Sequence, residues 1–437
     1  VSLGLLLGLL CAVGADLLWL VAMGDHVRGA AAMPDGVPFA AAPTEDWPPV
    51  ILLAEVTLSL VHELGVGGLL VWHYSTVLLA LMLVALDARR RGAADLATSL
   101  ALTVLVVAGI ATFAVARLQT FSLVPFVLVL LLVRAQHRSP GRGMWWAPIL
   151  VALWGNLHGG VLLGVCVIGA YLLFSRLPRR PVETVTLGVA TLAALSINPA
   201  GWRTAEYYWG VLQNEAAKQG EGLWASPDFR DPFDLLMLLG VGLLGLLALR
   251  RRLPLWECVA VVGLTVATVV AARNGIWLLL LLAGPAAYGG TRVPGRFADL
   301  KLLPHARVVA LVVAALVASA VPSAFRGHSL GEADKALAQE VRQAAPARVV
   351  LAPEPVVEAL AVHGVEVWLS NPLDAFRAED QRAYLDFMAG RPAMTTAVEG
   401  SGAVLVQEGT QADEVMAGED GFEVVALTGE WVLYVRS

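Results

Sequence analysis

The sequence predicts a polytopic α-helical membrane protein of about eleven transmembrane helices, with a C-terminal extracytoplasmic α/β domain. Three observations predict it. Of 437 residues, 57% are hydrophobic and only 15% charged, so the natural solvent of most of the chain is lipid. Arginines gather in alternate connections between the apolar runs. After Pro322 the composition changes to that of a soluble domain.

The apolar runs lie at 1–23, 66–86, 95–115, 119–133, 144–156, 159–174, 183–197, 233–249, 254–272, 275–290 and 304–322. The first has no basic segment ahead of it and no small-residue cleavage site followed by polar sequence, so it is expected to be a retained span. Arg89, Arg90 and Arg91, then Arg134, Arg138 and Arg142, then Arg176, Arg179 and Arg180, then Arg250, Arg251 and Arg252, and finally Arg292, Arg296, Lys301 and Arg307 mark one side of the membrane. By the positive-inside rule that side is cytoplasmic, the N-terminus inside and the C-terminus outside. Cys11, Cys166 and Cys258 all fall in apolar runs, where a thiol acts as a small hydrophobe, so no disulfide or catalytic thiol is expected. A net charge of −6 is small for this length and argues against nucleic acid as a partner.

Two outer loops are long, 24–65 and 198–232. The first holds the turn Pro34-Asp35-Gly36, the entry Glu45-Asp46-Trp47-Pro48-Pro49, and apolar residues at helical spacing over 50–64, the pattern of a helix lying in the interface. The second opens with the helix stop Asn198-Pro199-Ala200-Gly201 and continues into Trp202, Tyr207, Tyr208 and Trp209, residues suited to the membrane boundary. The predicted domains are 1–325, transmembrane, and 326–437, soluble. In the latter, helices are expected at 332–345, 355–363 and 378–389, and strands at 348–351, 365–370, 403–407, 423–427 and 431–435. Asp374, Glu379 and Asp380 there read as a helix start and a solvated face. No internal repeat is visible, which weighs against inverted-repeat transporters.

Asp16 interrupts the first apolar run, where a carboxylate costs several kcal/mol unless it faces water or a partner. Its outer side is shared by Asp25, Asp46 and Glu55 of the first loop and, at later helix ends, by Arg117 with Gln119, Asn156 with His158, Arg203, and Arg273 with Asn274. Arg117 stands between two spans with little polar sequence around it, and an arginine held at that depth needs a carboxylate or a phosphate; Arg273 repeats the arrangement. In Trp154-Gly155-Asn156-Leu157-His158-Gly159-Gly160 the glycines permit a tight reversal that presents an amide and an imidazole. No metal-ligand spacing and no phosphate-binding P-loop occurs, so no metal site is assigned; a divalent metal is not indicated by ligand spacing.

An acid near the outer end of the first span, a long first outer loop with an interfacial helix, many spans and an outer α/β domain resemble the C-type (GT-C) bacterial membrane glycosyltransferases. Asp16-Leu17-Leu18-Trp19, Asn156-Leu157-His158-Gly159-Gly160, Asn198-Pro199-Ala200-Gly201, Ser226-Pro227-Asp228-Phe229 and Arg273-Asn274 look like signposts of a polyprenyl-phosphate-sugar-dependent branch. The resemblance implies transfer of a sugar from a polyprenyl-phosphate donor to a glycan, lipid or protein acceptor at the outer face of the bacterial inner membrane, with membrane lipids and envelope proteins as partners. It makes Asp16 the acceptor-activating acid, with Glu55 and His158 as further catalytic candidates. Arg117 and Arg273 become the donor-phosphate cations, on electrostatic grounds. Asp25, Asp46, Gln119, Asn156, Arg203 and Asn274 line the site. Two alternatives stand beside this reading: a non-catalytic relative that binds a lipid-linked sugar or scaffolds a partner enzyme, and a transporter or flippase.

Overall fold

The computed structural model describes residues 11–44, 47, 49–213, 215–220, 222–290, 305–427 and 429–437. Residues 1–10 of the expected first span, the acids Glu45 and Asp46, and the basic residues Arg292, Arg296 and Lys301 therefore lie outside the described residues. In chain order the main elements are β1 (Ala12–Val13), α1 (Ala15–Ala30), α2 (Leu52–His62), α3 (Gly65–Arg90), α4 (Asp95–Ala108), β2 (Val115–Ala116), α5 (Thr120–Arg138), α6 (Trp146–Gly155) and α7 (Val161–Tyr171). They continue with α8 (Pro181–Ala194), α9 (Thr204–Gln213), α10 (Pro232–Ala248), α11 (Leu255–Val270), α12 (Gly275–Gly290) and α13 (His305–Ala344). The last part holds β3 (Val350–Leu351), α14 (Val356–Val362), α15 (Ala378–Met388), β4 (Ala403–Gln407), β5 (Phe422–Ala426) and β6 (Trp431–Arg436). Among the described residues two helices, α3 and α5, are long and apolar enough to cross a membrane; α2, α4, α8, α10, α11 and the stretch Val161–Arg176 are apolar but shorter.

The chain divides into two compact units, the first made of residues 1–12, 71–204 and 220–323. Its helices begin where the sequence provides starts. Pro181 opens α8, and the Asp231 carboxylate caps α10 by accepting from Phe233 N at 2.7 Å, with Pro232 in the first turn. Helices α10 and α12 approach closely because small residues line the contact: a Cβ on Gly275 would lie 1.9 Å from Met237 Sδ, and one on Gly289 1.9 Å from the Leu247 carbonyl oxygen. On α8 the residues Val182, Val185, Val189 and Leu192 stay exposed along one stripe, as lipid-facing side chains do.

Three expectations change in this unit. The run 95–115 is not one helix: α4 stops at Ala108, a short turn of helix covers Ile110–Phe113, and β2 pairs with β1 through Ala12 N–H to the Ala114 carbonyl at 3.0 Å. A Cβ at Gly109 would lie 2.9 Å from both Ile276 Cδ1 and Phe113 Cε2, so the chain bends where no side chain is tolerated. The run expected at 304–322 continues through Pro322 as the 40-residue helix α13. Some arginines expected in loops are buried instead. Arg134 is 3% exposed and donates to Asp87 at 2.7 Å, to Glu257 at 2.5 and 2.9 Å and to the Leu281 carbonyl at 2.8 Å, while Arg91 reaches the same two acids. Arg176 is likewise buried, against Glu183 and the Gly141 carbonyl. Two arginines against two acids give the first cluster no net charge, which is what makes its burial tolerable.

The second unit comprises residues 13–70, 205–219 and 324–437. The segments expected as outer loops thus form one body with the C-terminal residues. Its four-stranded sheet runs β3-β4-β6-β5, parallel between β3 and β4 and antiparallel across the other pairs. The strand expected at 365–370 is reduced to bridges at Val367, which pairs with Val350 on one side and Ala40 on the other. A segment of the first loop thereby joins the sheet margin, with Ala41 N and Ala42 N donating to the Val367 and Trp368 carbonyls at 2.8 and 2.9 Å. Helix α1 starts only at Ala15, after extended Gly14, and runs to Ala30, so the loop expected from residue 24 begins later. It packs on α2 with no space between the backbones at Gly24, where a Cβ would sit 2.1 Å from the Glu55 carbonyl oxygen.

Candidate functional site

The acids of interest fall in the second unit. Asp16 occupies the first turn of α1, half-buried, where the partial positive charge of the helix start favours an anion. It precedes Leu17 to Gly24, an unbroken buried run. Trp19 from this run meets Trp47 edge to face at 6.4 Å, and Trp47 meets Tyr207 at 6.2 Å; Tyr207 and Tyr208 are 5.3 Å apart. Trp47 Nε1 donates to Asp374 Oδ2 at 3.0 Å. Asp374 therefore belongs to a buried aromatic wall and not to a solvated face, and burial raises its carboxyl above the ordinary range while the Trp47 hydrogen bond opposes the shift. Asp25 is exposed and accepts from Ser59 Oγ at 2.5 Å, and Ser59 in turn accepts from Arg28 Nη1 at 2.9 Å, a tie between α1 and α2 that also includes the Arg28–Glu63 ion pair.

Glu55 is 0% exposed and neither of its carboxyl oxygens has a hydrogen-bond partner among the described residues. Burial alone raises its pKa from 4.5 to about 8, so near neutrality the group is mostly a carboxylic acid, a donor and not a base. The folded state then binds a proton that the unfolded chain has released. Stability falls as pH rises from the unfolded value to about 8, by roughly 1.4 kcal/mol per pH unit at most. Glu55→Gln should melt with the wild type at pH 4.5 and progressively above it towards pH 8. Parallel melting curves for the two proteins across that range would show that Glu55 is ionised in the fold.

The cations and amides fall in the first unit. Arg117 follows β2 directly and is half-buried. Gln119 Nε2 donates to the Arg273 carbonyl at 3.1 Å, tying the two predicted cation positions together. The Arg273 guanidinium lies 3.8 Å from the centre of the Trp224 ring, a cation–π contact that holds the charge in place without neutralising it. Asn274 donates to the Ala267 carbonyl at 3.0 Å, and Asn156 spends its amide on the Ala152 and Ile197 carbonyls at 2.8 and 2.5 Å. These two amides cap helix ends. Arg203 is exposed. His158 accepts the attention of Ser122 Oγ at 2.6 Å and Gly160 N at 3.1 Å, and it lies within electrostatic range of Arg273.

Several residues here were not legible as site residues. Ser122 is a single hydroxyl inside an apolar run; Trp154 stands in the reversal motif but reads as a membrane aromatic; Trp47, Tyr207 and Asp374 come from three distant segments. A buried tryptophan and a serine at these places were the available signals, and only packing joins them. Among the described residues no group of three or more His, Cys, Asp or Glu gathers as a metal site.

The fold is shared with solved structures at low sequence identity. Among solved structures the chain is similar to the arabinofuranosyltransferase AftD from Mycobacteria (TM-score 0.54, 16% identity, 99% of this chain and 41% of that one). It is also similar to ArnT from Cupriavidus metallidurans bound to undecaprenyl phosphate (TM-score 0.53, 13% identity, 99% of this chain and 96% of that one). The chain thus spans less than half the length of AftD. No family model and no curated protein matches the sequence.

Proposed function

We propose that the chain is a glycosyltransferase of the bacterial inner membrane, moving a sugar from a polyprenyl-phosphate donor to a glycan, lipid or protein acceptor at the outer face. The observation that carries this is the fold shared with ArnT over 99% of this chain and 96% of that one, ArnT having been solved with undecaprenyl phosphate bound. In this reading residues 1–325 hold the donor lipid and residues 326–437 form the extracytoplasmic domain.

The chemistry follows from the residues present. The bond from the anomeric carbon to the donor phosphate oxygen breaks, and its electron pair leaves with the polyprenyl phosphate. The acceptor oxygen bonds to the anomeric carbon and passes its proton to Asp16. Arg117 and Arg273 stabilise the phosphate both bound and departing, and the cation–π contact with Trp224 positions Arg273. The aromatic wall of Trp19, Trp47 and Tyr207 offers apolar faces of the kind on which sugar C–H groups stack.

A second reading, a binding or scaffold protein without turnover, is favoured by one observation: Glu55 is fully buried and out of reach as a base. Full-length protein in liposomes, supplied with a panel of undecaprenyl-phosphate-linked pentoses and hexoses, separates the two. Release of undecaprenyl phosphate coupled to glycosylated acceptor supports transfer. Donor binding without release supports the scaffold, and neither binding nor release rejects both.

A further inference from the structure

The reversal between α6 and α7 contains hydrogen bonds whose direction can be assigned. The indole Nε1–H of Trp154 can only donate, and it does so to Ser122 Oγ at 2.6 Å. The serine hydroxyl accepts that proton and directs its own to His158 Nδ1 at 2.6 Å. The backbone N–H of Gly160, which also can only donate, reaches the same Nδ1 at 3.1 Å. With two donors aimed at it, Nδ1 carries no proton. The imidazole is neutral, and its proton sits on Nε2, for which the described residues supply no partner.

The surrounding sequence protects this arrangement. Ser122 and Trp154 are both 0% exposed, so water does not compete for the relay. A Cβ on Gly160 would fall 2.8 Å from both His158 Nδ1 and Ser122 Oγ, and one on Gly164 would fall 2.2 Å from Trp154 Cζ3. Gly160, the last glycine of the reversal, and Gly164, one helical turn later, are thus the residues that leave room for the relay. His158 itself is half-buried and in electrostatic range of Arg273.

We propose that Trp154 and Ser122 are positioning residues that lock His158 as a neutral Nε2–H donor to a phosphoryl oxygen of the polyprenyl-phosphate donor, beside the charge of Arg273. This rests on the transferase reading above. A donor fixed in this way needs no proton from solution and contributes no histidine limb to the pH profile of donor binding.

The test uses full-length protein in nanodiscs with 15N-labelled histidine rings, the His158 signals being those lost in His158→Ala. The wild type should show Nε2 protonated and Nδ1 bare, and Ser122→Ala should mix the two tautomers. A protonated Nδ1, or an imidazolium at pH 7, overturns the assignment whatever the activity. In the binding arm, His158→Ala should weaken undecaprenyl phosphate about tenfold, and His158→Gln, whose amide still donates, should restore most of it. Unchanged binding in His158→Ala overturns the inference while leaving the transferase reading intact. Failure of the wild type to bind undecaprenyl phosphate instead removes that reading and the ligand with it. Inorganic phosphate alone should bind at least tenfold more weakly than the lipid; equal binding makes free phosphate the ligand and overturns the lipid assignment.

Discussion

Asp16→Asn should abolish sugar transfer while leaving donor binding within a factor of about two. The amide keeps the size of the carboxylate and its place in the first turn of α1, but it cannot take a proton from an attacking hydroxyl. Loss of a positioned base costs on the order of 10²–10⁴ in rate. An interaction made only in the transition state lowers kcat and kcat/KM together, so KM for the donor should stay put. Helix stability should change little, since the charge that Asp16 sets against the helix start is worth about 0.3–1 kcal/mol at an exposed site. Measuring both release of undecaprenyl phosphate and equilibrium donor binding decides the matter. A variant that turns over at wild-type rate would reduce Asp16 to a residue that merely begins a helix.

The second large effect concerns stability. Arg134→Met should destabilise the protein by about 3–5 kcal/mol, because it leaves Asp87 and Glu257 buried at 1% exposure each with Arg91 alone to answer them. The cost comes from the stranded acids and not from the lost arginine. Adding Asp87→Asn and Glu257→Gln to Arg134→Met should therefore recover part of the loss, and the recovery should exceed the sum of what the two acid substitutions do alone. Thermal melting of the detergent-solubilised series reads this directly. A melting curve for Arg134→Met within error of the wild type would mean that water reaches the cluster. Sugar transfer by the triple variant should survive at a temperature where it is folded, since none of the three residues belongs to the site proposed above.

Much of the helical layout was legible because it depends on one-dimensional properties. The observed α3 covers the expected 66–86, α12 the expected 275–290 and α10 all but the last residue of the expected 233–249, since an apolar run between proline, glycine or charge boundaries has one low-energy form when lipid supplies no hydrogen bonds. The strands at 403–407 and 431–435 were visible for a similar reason, their β-branched and aromatic residues being bounded by turn signals. The places where the expectation failed are places where one stretch of chain answers to another. Gly109 reads as an ordinary residue of an apolar run until Ile276 and Phe113 crowd it. Val367 reads as part of a strand until its neighbours leave it room for two bridges only.

The site divides along the same line. By itself the sequence determined which groups could do chemistry: an acid too near lipid to be idle, arginines with few polar neighbours, and a histidine set among glycines in a reversal. Only the tertiary structure decided the state in which those groups are held. The arginines take different partners, Arg134 two buried acids and Arg273 the face of an indole. Glu55 becomes a carboxylic acid because it is buried away from water, and His158 becomes a donor at one nitrogen because a serine, oriented by a tryptophan on a separate helix, and a nearby backbone amide claim the other. The physical reason is that residue type sets what a group can exchange, whereas protonation and direction are set by dielectric and by hydrogen-bond partners, and those arrive from positions that no local pattern connects.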